Sequence, residues 1–231
     1  MIELLPVVGI PEVHPGDDLA GLIAAGTPSV ASGDVLVVTQ KIVSKAEGAL
    51  VEVDPDDPLS HKALVEEEAV RVLRRRGDLV ITETKHGFVC ANAGVDRSNL
   101  ADGVAALLPR DSDRSARRIR DRLRTAAGVD VGVVISDTFG RAWRKGLVDV
   151  AIGCAGIAAV LDLRGTEDAE GHELQVTEVA VADEIAAAAE LVMGKADGIP
   201  VAIVRGVDPS WLRESSVRAE IVRDPADDLF R

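Results

Sequence analysis

The sequence predicts an α+β fold of mixed sheets and helices. Three observations carry that expectation. Runs rich in Val and Ile recur along the whole chain, helical patterns of period 3.6 lie between some of them, and others follow one another directly at 34–53 and 78–94. A doubly wound parallel sheet would place a helix in each of those gaps, so the absence of strict alternation favours a mixed architecture, arranged in two lobes. The chain of 231 residues is long enough to bury a real core. With three Phe, two Trp and no Tyr, that core must be built from Val, Ile, Leu and Ala.

Taken in order, strands are expected at 2–10, 34–43, 49–53, 78–84, 87–94, 130–137, 157–165, 173–183 and 199–206, each a short run of β-branched and apolar residues. Helices are expected at 17–26, 58–77, 110–124, 148–156 and 183–198. Over 58–77, Leu64, Val65, Ala69, Val72 and Leu73 fall on one helical face, and arginines crowd its end before Gly77. Over 110–124, Ile119 and Leu123 are four apart among alternating acids and arginines, the pattern of a solvated, ion-paired helix at an outer edge. The last helix is expected to start at Asp183 as N-cap and to close at Gly194 or Gly198. No repeat, low-complexity linker or proline-rich boundary divides the chain, so residues 1–231 are read as one unit.

Composition excludes several function classes. The net charge of −13, from 39 acidic and 26 basic residues, repels nucleic acid, and no aromatic interleaves the one arginine-rich stretch. No apolar run approaches the ~18 residues needed to span a membrane, and the N-terminus lacks the basic region of a secretory signal. Cys90 and Cys154 each lie in apolar or small-residue surroundings without a ligand partner nearby, so both are expected to be buried free thiols, which fits the reducing cytoplasm. The four histidines are scattered and are read as surface or loop residues.

No P-loop, G-x-G-x-x-G, H-E-x-x-H, C-x-x-C or G-x-S-x-G motif is present. Polar residues at strand ends remain. The stretch "VVISDTFGRAWRKG" runs from a buried strand into Asp137 and Thr138, then into Arg141, Trp143, Arg144 and Lys145. A carboxylate beside a hydroxyl is what a hard cation takes as ligands, with water and phosphate oxygens completing its shell. The same pair is also a common N-cap or Asx-turn. "NAGVDRSN" offers Asp96 and Asn99, "VTQKIVSK" offers Gln40, Lys41, Ser44 and Lys45, "GIPEVHPGDDL" is a loop with free backbone groups, and "VTEVAVADE" adds Glu178, Asp183 and Glu184. Acids for cations and cations for phosphate together point to metal-assisted work on a phosphorylated ligand.

These blocks carry a resemblance. "LPVVGIPEVHPGDDLA", "GDVLVVTQKIVSKAEG", "AGVDRSN", "VVISDTFGRAWRKG" and "VTEVAVADEIAAAAELVMGKADGIPVAIVRG" follow, in order from residue 2 to about 206, the pattern of the coenzyme F420-0:L-glutamate ligase (CofE) family. The likeness is strongest to the ligase domain of actinobacterial members in which a nitroreductase-like domain follows. The resemblance implies a two-lobed α+β fold in an intertwined homodimer. It implies addition of L-glutamate to coenzyme F420-0 with GTP, Mg²⁺ or Mn²⁺ at two sites, and K⁺. By motif position, Asp96 and Asp137 resemble ligands of a first metal and Thr138 a ligand of a second. Ile10, Pro11, Glu12 and Val13 resemble a segment that meets the nucleotide, as do Gln40, Lys45 and Asn99. Lys45 and Arg141, with Arg144, are expected to face the anionic groups in catalysis. Trp143 is read either as lining the deazaflavin pocket or as packing beneath its loop. Two positions depart from the family pattern. Lys195 stands where many relatives carry Gln or an acid that helps hold the second metal, so it either weakens that site or touches phosphate itself. Gln40 replaces a small hydroxyl residue. Two alternatives stay open: a metal- and nucleotide-dependent ligase or phosphotransferase with a different acid acceptor, and a nucleotide- or deazaflavin-binding partner without catalysis.

Overall fold

The computed structural model describes residues 1–229 other than residues 58 and 99. Its strands are β1 (Glu3–Pro6), β2 (Val35–Thr39), β3 (Leu50–Glu52), β4 (Ala69–Arg76), β5 (Leu79–Thr84), β6 (Val89–Ala91), β7 (Val104–Ala106), β8 (Gly132–Arg141), β9 (Arg144–Ala155), β10 (Leu161–Asp162), β11 (Glu178–Val179) and β12 (Val201–Arg205). Its helices are α1 (Leu19–Ala25), α2 (Gln40–Ala46), α3 (Lys62–Glu68), α4 (Ser112–Ala127), α5 (Val181–Met193) and α6 (Val217–Glu220). The expected α+β class holds.

Five strands form a central sheet in the order β1-β12-β2-β8-β9. Only β2 and β8 run parallel; every other neighbour is antiparallel. Side chains alternate between its two faces, as the period of two requires. Leu36, Val38, Val133, Ile135, Val201 and Ile203 enter the core shared with α1, α2 and α4. Val35, Val37, Val134, Ala202 and Val204 enter the core shared with α5 and the C-terminal segment. A small third cluster, with Val65, Ala93, Val95 and Ala105, lies under the peripheral strands. Those strands form one sheet of order β4-β5-β6 and a β3-β7 pair.

Helix α4 is better integrated than its sequence suggested. Ala116, Ile119 and Leu123 are buried in the first core, so 110–124 is no outer edge. Its arginines pair with acids elsewhere in the chain, as in Arg122 with Asp18 (2.8 Å). The helix reaches the sheet because Gly153 has no side chain: a Cβ there would stand 2.3 Å from the backbone carbon of Ser112. Asp113, in its first turn, accepts from the backbone N–H groups of Cys154 (2.8 Å), Val217 (2.8 Å) and Arg218 (3.1 Å), and so clamps the C-terminal segment onto β9. Both cysteines are free and buried, as expected.

Five of the expected runs differ most from expectation. Residues 58–77 are a short helix, α3, followed by strand β4. Val70 and Val72 favour a strand, and Gly77 at φ +57° turns β4 into a two-residue hairpin with β5, pairing Arg76 with Leu79. Residues 148–155 belong to β9, which pairs with β8 from end to end apart from two register shifts. The run 34–43 is β2 only to Thr39, where the chain turns into α2. The runs 157–165 and 173–183 keep only the two-residue strands β10 and β11, and α5 begins at Val181. Asp183 is therefore inside the helix, where it accepts from the backbone N–H of Ala151 (2.9 Å).

Candidate active site

A cavity of about 670 Å³ opens where β2 ends beside Ser136 and β8 runs on past it. Its walls come from stretches far apart in sequence: Ile10–Val13 ahead of α1, Gln40 to Lys45 on α2, Cys90 to Ser98 after β5, Ser136 to Gly140 on β8, and Gly194 to Pro200 after α5. Ile10, Pro11, Glu12, Val13, Gln40, Lys45, Asp96, Asp137, Thr138 and Lys195 all line it. Asn99 lies outside the described residues. Arg141 does not line the cavity: it sits at the turn between β8 and β9, exposed, donating to the carbonyl of Lys145 (2.9 Å). Trp143 neither lines the cavity nor packs beneath the loop. At φ +56° and 82 % exposed, it caps the hairpin, whose residues from 140 to 147 are all exposed.

Asp137 and Thr138 are delivered by β8, which pairs them with Val150 and Asp149 of β9. Asp137 opens on the cavity yet has a great deal of protein around it. Burial, assisted by the nearby negative charges of Asp96 and Asp149, raises its carboxyl from the model-peptide 3.8 to about 7, against the opposing pull of the Thr138 N–H and Lys41. Asp149 is almost fully buried, at 2 % exposure. Its carboxylate accepts from Ser136 Oγ (3.1 Å), Thr138 Oγ1 (2.6 Å) and Lys195 Nζ (2.8 Å).

Asp96 arrives by a different route. Asn92, Ala93 and Gly94 all have positive φ, a strained turn held by the hydroxyl of Thr82, which accepts from the Ala93 N–H (2.9 Å). Asp96 follows, bridged to Ala106. Burial disfavours its charge too, but Lys41 Nζ at 2.8 Å and the N–H and hydroxyl of Ser98 outweigh that effect and lower its pKa.

Cations ring the rest of the cavity. Lys45 Nζ, 9 % exposed, meets Glu12 Oε1 at 2.5 Å and ties the Ile10–Val13 loop to α2. Lys195 Nζ meets Asp149 (2.8 Å), Glu190 (2.9 Å) and Thr138 Oγ1 (2.5 Å). Gln40 is buried, and its amide donates to Ser44 Oγ (2.6 Å) and to the carbonyl of Leu107 (2.9 Å). It thereby braces the cavity wall from behind.

Asp149 and Glu190 were not expected at the site. Asp149 had a signal, as the one acid in the otherwise apolar run from Leu147 to Ala155, where burial demands a partner. Glu190 had none inside its alanine-rich helix.

The donor set of Asp96, Asp137, Asp149, Glu190 and Thr138 is hard oxygen throughout and suits Mg²⁺ or Mn²⁺. Cys90 also lines the cavity, but burial and then the charge of Asp137 push its thiol up to about 12, which unfits it as a soft ligand. Among the described residues, no three His, Cys, Asp or Glu side chains gather closely enough to hold an ion by themselves. That is the usual arrangement for Mg²⁺ at a phosphate site, where one or two carboxylates serve and phosphate and water supply the other oxygens.

An oxygen-lined cavity edged with lysines fits phosphorylated substrates, and comparison with known proteins makes the chain an enzyme of the ligase class. The model of the F420-0:gamma-glutamyl ligase family matches residues 8–206, and the chain belongs to that family. A coenzyme F420:L-glutamate ligase of Methanopyrus kandleri is 46 % identical over 247 aligned residues, covering all of this chain and 98 % of the relative. Proteins of the same name from Methanothermobacter thermautotrophicus and Archaeoglobus fulgidus are 43 % and 42 % identical, again over this whole chain and over 99 % and 96 % of theirs.

Proposed function

We propose that the chain joins L-glutamate to coenzyme F420-0 at the expense of GTP. What supports the reading most is the convergence of Ile10–Val13, Lys45, Asp96, Asp137, Thr138 and Lys195 on one cavity, in a chain whose relatives bear the name coenzyme F420:L-glutamate ligase. The resemblance in the sequence supplies GTP, K⁺ and the homodimer, and the two free thiols fit the cytoplasmic setting.

A carboxylate does not condense with an amine in neutral water, so it must first be activated. A carboxylate oxygen of the acceptor attacks the γ-phosphorus of GTP, the bond to the bridging oxygen breaks, and GDP leaves. The amine of glutamate then attacks the acyl carbon of the resulting acyl phosphate, loses a proton, and expels phosphate as the amide forms. Such transfers depend on positioning and electrostatics rather than on a protein nucleophile. Asp96 and Asp137 would hold the divalent cation; when bound, it would supply positive charge that offsets the charge of the phosphate oxygens. Lys45 offsets charge from the α2 side, and its pairing with Glu12 orients the Ile10–Val13 loop toward the nucleotide. Asp137 performs its role only as the anion.

The test is mass spectrometry of F420-0 carrying ¹⁸O in its carboxylate, incubated with the protein, GTP, Mn²⁺ and glutamate. Product heavier by one glutamyl residue is expected, with one ¹⁸O in the released phosphate. Product without label in phosphate removes the acyl phosphate; no product removes F420-0 as acceptor.

A further inference from the structure

The two ends of the cavity treat their acids differently. At one end stand Asp96 and Asp137, with Lys41 on a single oxygen of Asp96 and in no ion pair with Asp137. At the other, Asp149, Glu190 and Thr138 converge on one ammonium group. An ammonium has three N–H donors. Lys195 meets three oxygens from three separate elements, β8, β9 and α5, at 2.5–2.9 Å. It is placed there by Gly194, whose φ of +63° turns the chain back at the end of α5. A side chain at Gly194 would also collide with Asp197, its Cβ falling 2.3 Å from a carboxylate oxygen.

Asp149 is the reason the ammonium stays. A buried carboxylate stripped of its partner is costly, and Ser136 and Thr138 supply only neutral hydrogen bonds. The oxygens that grip Lys195 are those a second divalent ion would need. Two cations cannot share three ligands at hydrogen-bonding distance without strong repulsion.

We infer that Lys195 is a resident cation that takes the place of one divalent ion, so that each protomer binds a single Mg²⁺ or Mn²⁺, at the Asp96–Asp137 end. This rests on the metal-dependent reading above. The lysine side chain is more than half exposed, so its ammonium can exchange the Thr138 hydroxyl for a phosphate oxygen while keeping Asp149 neutralised.

The experiment counts ions. Protein with one equivalent of β,γ-imido-GTP is titrated with Mn²⁺, and free Mn²⁺ is followed by electron paramagnetic resonance. The unaltered chain is expected to bind one Mn²⁺ per protomer. Lys195→Gln, which leaves oxygen ligands and an amide, is expected to bind two; Lys195→Arg, which keeps a cation, stays at one. Two ions in the unaltered chain, or one in both it and Lys195→Gln, overturns the inference and leaves the metal-dependent reading standing. Asp137→Asn separates the failures. It is expected to weaken the single ion at least tenfold; unchanged affinity means that the nucleotide alone holds the ion, and the metal-dependent reading falls together with the inference.

Discussion

Asp96 and Asp137 are the same side chain in the same cavity, and the fold pushes them in opposite directions. Asp137 follows the buried part of β8, where burial and two neighbouring acids act on it and, among the described residues, no ion pair does, so its proton is held to about pH 7. Asp96 follows a strained turn at the rim, where Lys41 and Ser98 hold it ionised. Environment, not residue type, sets the charge state, and two carboxyl groups split in this way can serve different tasks. Asp96 is held ionised by partners already in place. Asp137 competes for a proton near neutral pH until a cation displaces it.

The most forceful way to break that contrast is to remove each charge in turn. Asp137→Asn and Asp96→Asn should each lower ligation by about 10²–10³-fold, the loss seen when one preorganised electrostatic group is removed from an active site. Thermal melting without divalent ions should then tell them apart. Asp137→Asn should raise the melting temperature, because it deletes a poorly solvated charge, whereas Asp96→Asn should lower it, because Lys41 loses its partner. Equal shifts of the same sign would erase the distinction.

A titration sharpens it further. The folded chain holds the Asp137 proton more tightly than the unfolded chain, so this group makes the metal-free protein lose stability as pH rises from about 4 to about 7. Asp96 has the opposite sign, its contribution present above the unfolded pKa and lost as pH falls through the lowered folded one. Ligation at limiting Mn²⁺ should fall below about pH 7, and added Mn²⁺ should move that limb to lower pH by competing with the proton. A limb that Mn²⁺ does not move would detach it from Asp137. The smallest effect is expected at Arg141→Ala. Its guanidinium is outside the cavity and bonded to its own hairpin, so kcat/KM for ligation should change by less than about threefold, within the range of exposed polar groups.

Much of this was legible in the residues, unevenly. Asp137 and Thr138 stood out because an apolar run ended in oxygen ligands, and β8 indeed delivers them to the cavity. The central strands were legible because both faces of the sheet are covered, which leaves unbroken runs of Val and Ile. Asp149 was hidden by a wrong period: read as helical, 148–156 gave no reason to aim an acid anywhere, whereas as a strand it sets Asp149 opposite Thr138. Strand β4 was lost because Leu64 to Leu73 fit a helical face, and the Gly77 hairpin that overrides it depends on pairing with residues beyond that window. The meeting of Lys195 with Asp149 spans 46 positions. No local pattern reports a contact at that range.

The sheet order carries a consequence for how the chain is made. β1 lies at the edge of the sheet and, among the described residues, pairs with β12 alone, with Glu3 opposite Arg205. A ribosome releases the first of these strands long before the second exists. Residues 3–6 therefore wait for this partner until residue 205 emerges, with Val217 and Arg218 still to dock on Asp113. Closure of the central sheet is in that sense a late event, set by the arrival of β12 rather than of β1.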